Sequence, residues 1–136
     1  MTAIGDTASR VTTVSAEDVE VFTRLTGDDN PIHRDAEFAK LSRFGQRIAP
    51  GMYVGSLIGA VLANELPGPG TIYLEQSLRF LAPVHFGDRI EARVVVESLP
   101  EPGRALLRTS CVNQHGVAVI EGIALMLLPV SPASST

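Results

Sequence analysis

Apolar residues recur along this chain with two different periods, and the change from one to the other divides it in two. Between Ala16 and about Thr26, Val19, Phe22 and Leu25 recur every third residue, which predicts a short amphipathic helix. Ser15-Ala-Glu-Asp18 has the form of a capping box, with Ser15 accepting from the first free N–H groups and Asp18 at the positive end of the dipole. Asn30-Pro31 stops this helix, because proline has no N–H to donate and pushes the residue before it out of helical geometry. Asp35 caps a second short helical piece running through Leu41, and Ser42 to Ile48 is irregular. From Gly51 to Leu66 the sequence is apolar on nearly every face, which predicts a buried helix. Its small residues, Gly55, Ser56, Gly59, Ala60 and Ala63, leave room for a sheet to wrap closely, and Pro67-Gly-Pro-Gly70 ends it.

Beyond Gly70 the pattern becomes that of β structure. Thr71 to Val84, Arg89 to Leu99, Arg104 to Asn113 and Val117 to Leu128 are long strand segments, separated by turn-forming groups such as Pro100-Glu-Pro-Gly103 and Gln114-His-Gly116. The last two connections suit antiparallel hairpins. An early strand, one long apolar helix and then a run of strands is an α+β order in which one antiparallel sheet wraps one central helix. Such a sheet leaves a face uncovered, and pairing two copies covers it, so a homodimer or higher homo-oligomer is expected. The domain spans residues 10–129, preceded by a flexible N-terminus at 1–9 and followed by a disordered Ser/Pro/Ala tail at 130–136.

Composition narrows the function. A chain of 136 residues and 14.5 kDa accommodates a single domain. Eleven basic against fifteen acidic residues give a net charge of −4, and aromatic residues make up only 5%. Neither the field nor the stacking surface that nucleic acid requires is present, so nucleic acid is not an expected partner. No apolar stretch is long enough to cross a bilayer and no signal peptide is evident, which predicts a cytoplasmic protein with no membrane partner. Cys111, the only cysteine, forms no intrachain disulfide and reads as a small core residue of a strand. His85 and His115 lie beside turns and read as surface residues, and no His/Asp/Glu grouping has metal-ligand spacing, so no metal is expected.

Thr26-Gly-Asp-Asp-Asn-Pro-Ile-His33 carries the candidate chemistry. Asp28 and His33 stand five apart across a turn that contains proline, so the two side chains can converge on one water, one group taking a proton and the other giving it. Asn30 supplies amide hydrogen bonds to fix the loop, and Pro31 sets the chain direction into His33. The same residues can equally do no more than satisfy backbone groups after the helix, leaving His33 in solvent. A second feature points to catalysis: Ala49-Pro50-Gly51 precedes the long helix, and the Gly51 N–H presents a free donor and the positive end of the dipole to a carbonyl oxygen. A proton-transfer pair beside an oxyanion donor suits chemistry on the carbon chain of an activated carbonyl. Asp29 places a second carboxylate beside Asp28, to perturb it or to face solvent.

At these residues the sequence resembles the MaoC-like hydratases, and within them the (R)-specific enoyl-CoA hydratases, which have a hot-dog fold. The likeness is carried by Phe22, Gly27, Asp28, Asn30, Pro31, Ile32 and His33. It extends through Gly51-Met52, Pro67-Gly-Pro-Gly-Thr-Ile-Tyr73, Gln76-Ser-Leu-Arg-Phe80, Pro83-Val84 and Phe86-Gly-Asp88. The resemblance implies reversible syn hydration of a trans-2-enoyl-CoA to an (R)-3-hydroxyacyl-CoA, in fatty acid metabolism. Asp28 is then the base that activates water, while His33 protonates C2 or shares that water, and the Gly51 N–H binds the thioester oxygen. It further implies an acyl chain lying along Gly55, Ser56 and Gly59, contacts from Arg43 and Arg47 to the phosphates of coenzyme A, and no cofactor beyond coenzyme A as part of the substrate. Departures from the family pattern are Pro50, where relatives often carry histidine, and Asp29. Three alternatives stay open: a hot-dog acyl-CoA thioesterase, a dehydratase of a dedicated biosynthetic intermediate on coenzyme A or a carrier protein, and a non-catalytic acyl-thioester-binding dimer.

Overall fold

Strict alternation of buried and exposed side chains builds the wall of the molecule. In the computed structural model, which describes residues 1–130, the elements run β1 (Thr7–Thr13), α1 (Ala16–Thr26), α2 (Pro31–Arg34), α3 (Ala36–Lys40), α4 (Gly51–Asn64), β2 (Ile72–Gln76), β3 (Arg79–Phe80), β4 (Arg89–Ser98), β5 (Arg104–Val112) and β6 (Ala118–Leu127). All strand pairings are antiparallel, in the order β1-β4-β5-β6-β2, with β3 also paired to β6. Ile90, Ala92, Val94 and Val96 of β4 and Ala105, Leu107 and Cys111 of β5 are at most 1% exposed, and they face α4. Burying each Val, Leu or Ile stabilises the fold by about 1.5–3 kcal/mol. The architecture is the α+β arrangement expected, one antiparallel sheet around one helix.

Caps and turns follow local chemistry. Ser15 Oγ accepts from Asp18 N at 3.0 Å to start α1, and Gly27, at φ 80°, closes it by donating to Thr23 O. Val19 of that helix is buried, whereas Leu25 is 79% exposed and does not join the core face. Asp35 Oδ1 accepts from Glu37 N and Phe38 N to start α3. In the β5–β6 turn, Asn113 Oδ1 accepts from both His115 N and Val117 N; His115 is exposed, and His85 half-buried.

Four expectations are corrected. Residues 7–9, taken with the flexible N-terminus, are in β1, and the pairing extends back to Gly5 N donating to Val96 O and Val96 N donating to Asp6 O, both at 2.9 Å. An edge strand is held through its backbone, so the polar side chains of Thr7-Ala-Ser9 gave no apolar signal of it. Asn30-Pro31 does not end α1, which closes at Gly27; Pro31 instead opens the one-turn helix α2. The segment from Thr71 to Val84 is two strands, because the chain breaks step at Ser77 to seat its carbonyl where Gly122 has no side chain. The helix α4 is buried on one side only: Tyr53, Val54, Ile58, Val61 and Leu62 face the sheet, while Met52, Ser56 and Ala63 are exposed in the single chain. Apart from Val130, the expected tail at 130–136 lies outside the described residues.

Candidate active site

The loop after α1 is shaped by side chains bonding to nearby backbone. Asp28 Oδ1 accepts from Asn30 N at 3.0 Å, and Asn30 Oδ1 in turn accepts from Ile32 N at 3.2 Å, capping α2. One turn of helix then carries His33 inward, where its side chain is only 10% exposed against 36% for Asp28. His33 Nδ1 lies 2.8 Å from the carbonyl oxygen of Ile48. A carbonyl only accepts, so Nδ1 carries the hydrogen, and in the neutral ring Nε2 is left with a free lone pair. That Nε2 faces Asp28 Oδ2 at 3.8 Å. The separation is too long for a direct hydrogen bond.

Segment 48–51 brings the second half of the site to the first. Ile48 N donates to Ile32 O at 3.3 Å and Ala49 N to Val84 O at 2.8 Å, stitching the start of α4 to the His33 turn on one side and the sheet on the other. Pro50 occupies the N-cap of α4 with no side-chain cap bond, so the Gly51 amide stands at the open, positive end of a 14-residue helix. His33 and Gly51 line one cavity of about 550 Å³, whose other walls include Phe44, Ile48, Met52, Phe80 and Leu81. Asp28 is not on its wall; its Oδ2 lies 3.8 Å from Nε2 of His33, which is. A Cβ at residue 51 would lie 2.7 Å from the Phe80 ring, so only glycine fits there without displacing it.

The remaining predicted residues are distributed around this centre. Asn30 is exposed, and its carbonyl oxygen is taken by the α2 cap. Ser56 and Gly59 lie on a second cavity of about 450 Å³, separate from the first in the single chain but sharing Met52 with it, and Ser56 Oγ donates to Tyr53 O at 2.6 Å. Arg47 stacks on the Phe86 ring, 4.8 Å from its centroid, and lines a third cavity with Lys40 and Gln46. Arg43 is exposed on the same irregular segment. Asp29 is 83% exposed and ion-paired with Arg34, so of its two expected orientations it takes the one toward solvent. Cys111 is fully buried with its thiol pushed up to about 12 by desolvation, which keeps it protonated and unreactive at neutral pH. Among the described residues no group of three or more His, Cys, Asp or Glu is arranged to hold a metal, and no helix is long and apolar enough to cross a membrane.

Sequence reasoning did not single out Phe44, Phe80 or Met52 as wall residues, nor the Ile48 carbonyl that sets the imidazole. For Phe80 and Met52 the available sign was their place in the Gln76-Ser-Leu-Arg-Phe80 and Gly51-Met52 stretches. For Ile48 there was none, because a main-chain carbonyl belongs to every residue alike.

The chain as a whole is similar to known proteins. The family described as "MaoC like domain" matches residues 3–113. The chain is 46% identical over 117 residues to a 3-hydroxybutyryl-CoA dehydratase of Methylorubrum extorquens, covering 85% of this chain and 74% of the relative. It is 44% identical over 126 residues to an (R)-specific enoyl-CoA hydratase of Rhodospirillum rubrum, covering 92% of this chain and 87% of the relative. Among solved structures, the (R)-hydratase from A. caviae superposes with a TM-score of 0.91 at 38% identity, covering 94% of this chain and 98% of that one.

Proposed function

This chain belongs to the MaoC-like domain family and has its hot-dog fold, and from that premise we propose that it is a hydro-lyase that adds water reversibly to trans-2-enoyl-CoA to give (R)-3-hydroxyacyl-CoA. The observation that carries the reading is the pair of acceptors 3.8 Å apart, Asp28 Oδ2 and His33 Nε2, beside a cavity that the Gly51 amide also lines. With Nδ1 committed to Ile48, the neutral His33 accepts one hydrogen of the water and Asp28 accepts the other. Of the two roles expected for His33, the shared water is therefore favoured over direct protonation of C2.

The reaction then runs as follows. Water oxygen bonds to C3 of the conjugated thioester as Asp28 takes a proton, the C2–C3 π electrons move toward the thioester, and the developing negative charge on its oxygen is met by the Gly51 N–H and the α4 dipole. The proton returns to C2 from the same face, which gives syn addition, and the reverse sequence is dehydration. Each step uses groups of the chain itself, so no resident cofactor is called for; coenzyme A enters as part of the substrate. We assign Arg47, which stacks on Phe86, and the exposed Arg43 to its phosphates, and the net charge of −4 favours free coenzyme A over a strongly acidic carrier protein. Homodimerisation is supported by the β2 edge and by Met52, Ile72 and Leu74, all apolar and exposed in the single chain, and sedimentation tests it directly.

The decisive experiment follows the loss of conjugated enoyl-thioester absorbance with crotonyl-CoA and resolves the enantiomer formed. Absorbance loss accompanied by (R)-3-hydroxybutyryl-CoA is expected. Release of free thiol without hydrated product identifies a thioesterase instead, and binding of acyl-CoA without turnover identifies a non-catalytic protein. A carrier-protein panel tests the dedicated-intermediate alternative.

A further inference from the structure

Glycine stands at every fourth position along one stripe of α4, at residues 51, 55 and 59, and each receives a side chain from the β2–β3 segment. At the point a Cβ would occupy, Gly51 is met by the Phe80 ring at 2.7 Å, Gly55 by Leu78 Cδ1 at 3.0 Å, and Gly59 by the Tyr73 ring at 3.4 Å. Leu78 is therefore the middle member of a row. The cavity with His33 and Gly51 lies at the Phe80 end and the cavity with Gly59 lies at the Tyr73 end, while Met52 lines both.

The second cavity is suited to hydrocarbon. Its walls include Met52, Leu74, Leu78 and the ring of Tyr73; of its polar residues, Glu75 is exposed, and Ser56, Tyr73 and Gln76 are engaged with one another or with backbone. Tyr73 Oη donates to Gln76 Oε1 at 2.8 Å, Gln76 Nε2 donates to Ser77 O and Thr109 Oγ1, and Ser56 Oγ donates to Tyr53 O. An alkyl chain entering it leaves none of these partners unmet. Leu78 is held in place from behind, because the Ser77 carbonyl occupies the space above Gly122 and Ser77 N donates to Ile123 O at 2.9 Å.

Resting on the hydratase reading, we propose that Leu78 is a specificity-determining residue. Seated on Gly55 in the wall of the second cavity, which shares Met52 with the first, it confines the acyl chain to the first cavity and so selects short enoyl thioesters. Each methylene moved from water into an apolar pocket favours binding about fourfold, so opening the second cavity rewards long chains and leaves short ones nearly unaffected.

The test compares kcat/KM for crotonyl-CoA and trans-2-octenoyl-CoA in one preparation, so that partial loss of folded protein cancels in the ratio. The native protein is expected to favour crotonyl-CoA. Leu78→Ala is expected to raise the octenoyl-to-crotonyl ratio by about tenfold or more, from several added methylenes. Adding Ser56→Leu, which refills the second cavity, is expected to return the ratio toward the native value. Should Leu78→Ala fail to fold, Leu78→Val carries the same test, with a shift of roughly threefold expected in the same direction. A native protein that hydrates crotonyl-CoA, beside an unchanged ratio in whichever variant folds, overturns the role of Leu78 alone. A native protein that hydrates neither thioester overturns the hydratase reading and this inference with it.

Discussion

The β4–β5–β6 meander and the segment from Gly27 to Gly51 are held together by different means. The meander is redundant: its three strands share antiparallel ladders with one register shift each, at Val96/Ser98 and Cys111/Val112, and buried residues from each join one core with α4, so no single side chain defines it. The segment is a chain of single bonds. Asp28 holds Asn30, Asn30 caps α2, α2 carries His33, and the Ile48 carbonyl orients its ring. Redundancy makes a framework tolerant of change, whereas a series arrangement fixes a few atoms closely at the cost of depending on every link.

That contrast predicts a division of mutational effects. The largest belongs to Asp28→Asn, which keeps the shape of the loop and removes the proposed base; turnover of crotonyl-CoA is expected to fall by about 10²–10⁴-fold with the thermal midpoint nearly unchanged. A thermal midpoint that falls with activity would show the loop to be structural and break the distinction. Leu107→Ala, at a position 0% exposed in the middle of β5, is expected to act in the opposite sense. It should cost about 2–5 kcal/mol in denaturant unfolding while the kcat of the remaining folded protein stays close to native.

Asn30→Ala sharpens the comparison between these extremes. It removes the α2 cap at a cost of about 0.5–2 kcal/mol, and because His33 rides on that helix, a moderate fall in kcat should accompany the small stability loss. The smallest effect lies within the framework and depends on pH. Burial raises the Cys111 thiol from its ordinary 9.0 to about 12, so the native state keeps a proton that the unfolded chain gives up. Its contribution is complete below pH 9 and is lost as pH rises toward 12. Native protein at pH 8 should accordingly resist thiol reagents, with labelling at the rate of unfolding, and Cys111→Val should flatten the alkaline decline.

Legibility in the sequence followed the same division. The α1 cap at Ser15, the α3 cap at Asp35, the start of α4 and the three long strands were all readable, because caps and periodicity are local and each is written in the residues that form it. The edge strand β1 from Thr7 and the break at Ser77 were not, since one depends on pairing with β4 and the other on the absence of a side chain at Gly122. In the site, the residue types at Asp28, His33 and Gly51 were visible as a motif. Their distances were not, nor was the wall formed by Phe44, Met52 and Phe80, because those contacts join residues far apart in the chain.

By itself, then, the sequence determined which elements form and which residues have the chemistry to act: a carboxylate, an imidazole and an uncapped helix start. Tertiary structure decided what those groups do together. It fixed the hydrogen of His33 on Nδ1 by placing Ile48 O 2.8 Å away, turned Asp29 out to Arg34, and left one side of an all-apolar helix uncovered. Local patterns set a residue's preference for a conformation, but a tautomer, a bridging water or a cavity wall depends on atoms brought together from distant parts of the chain.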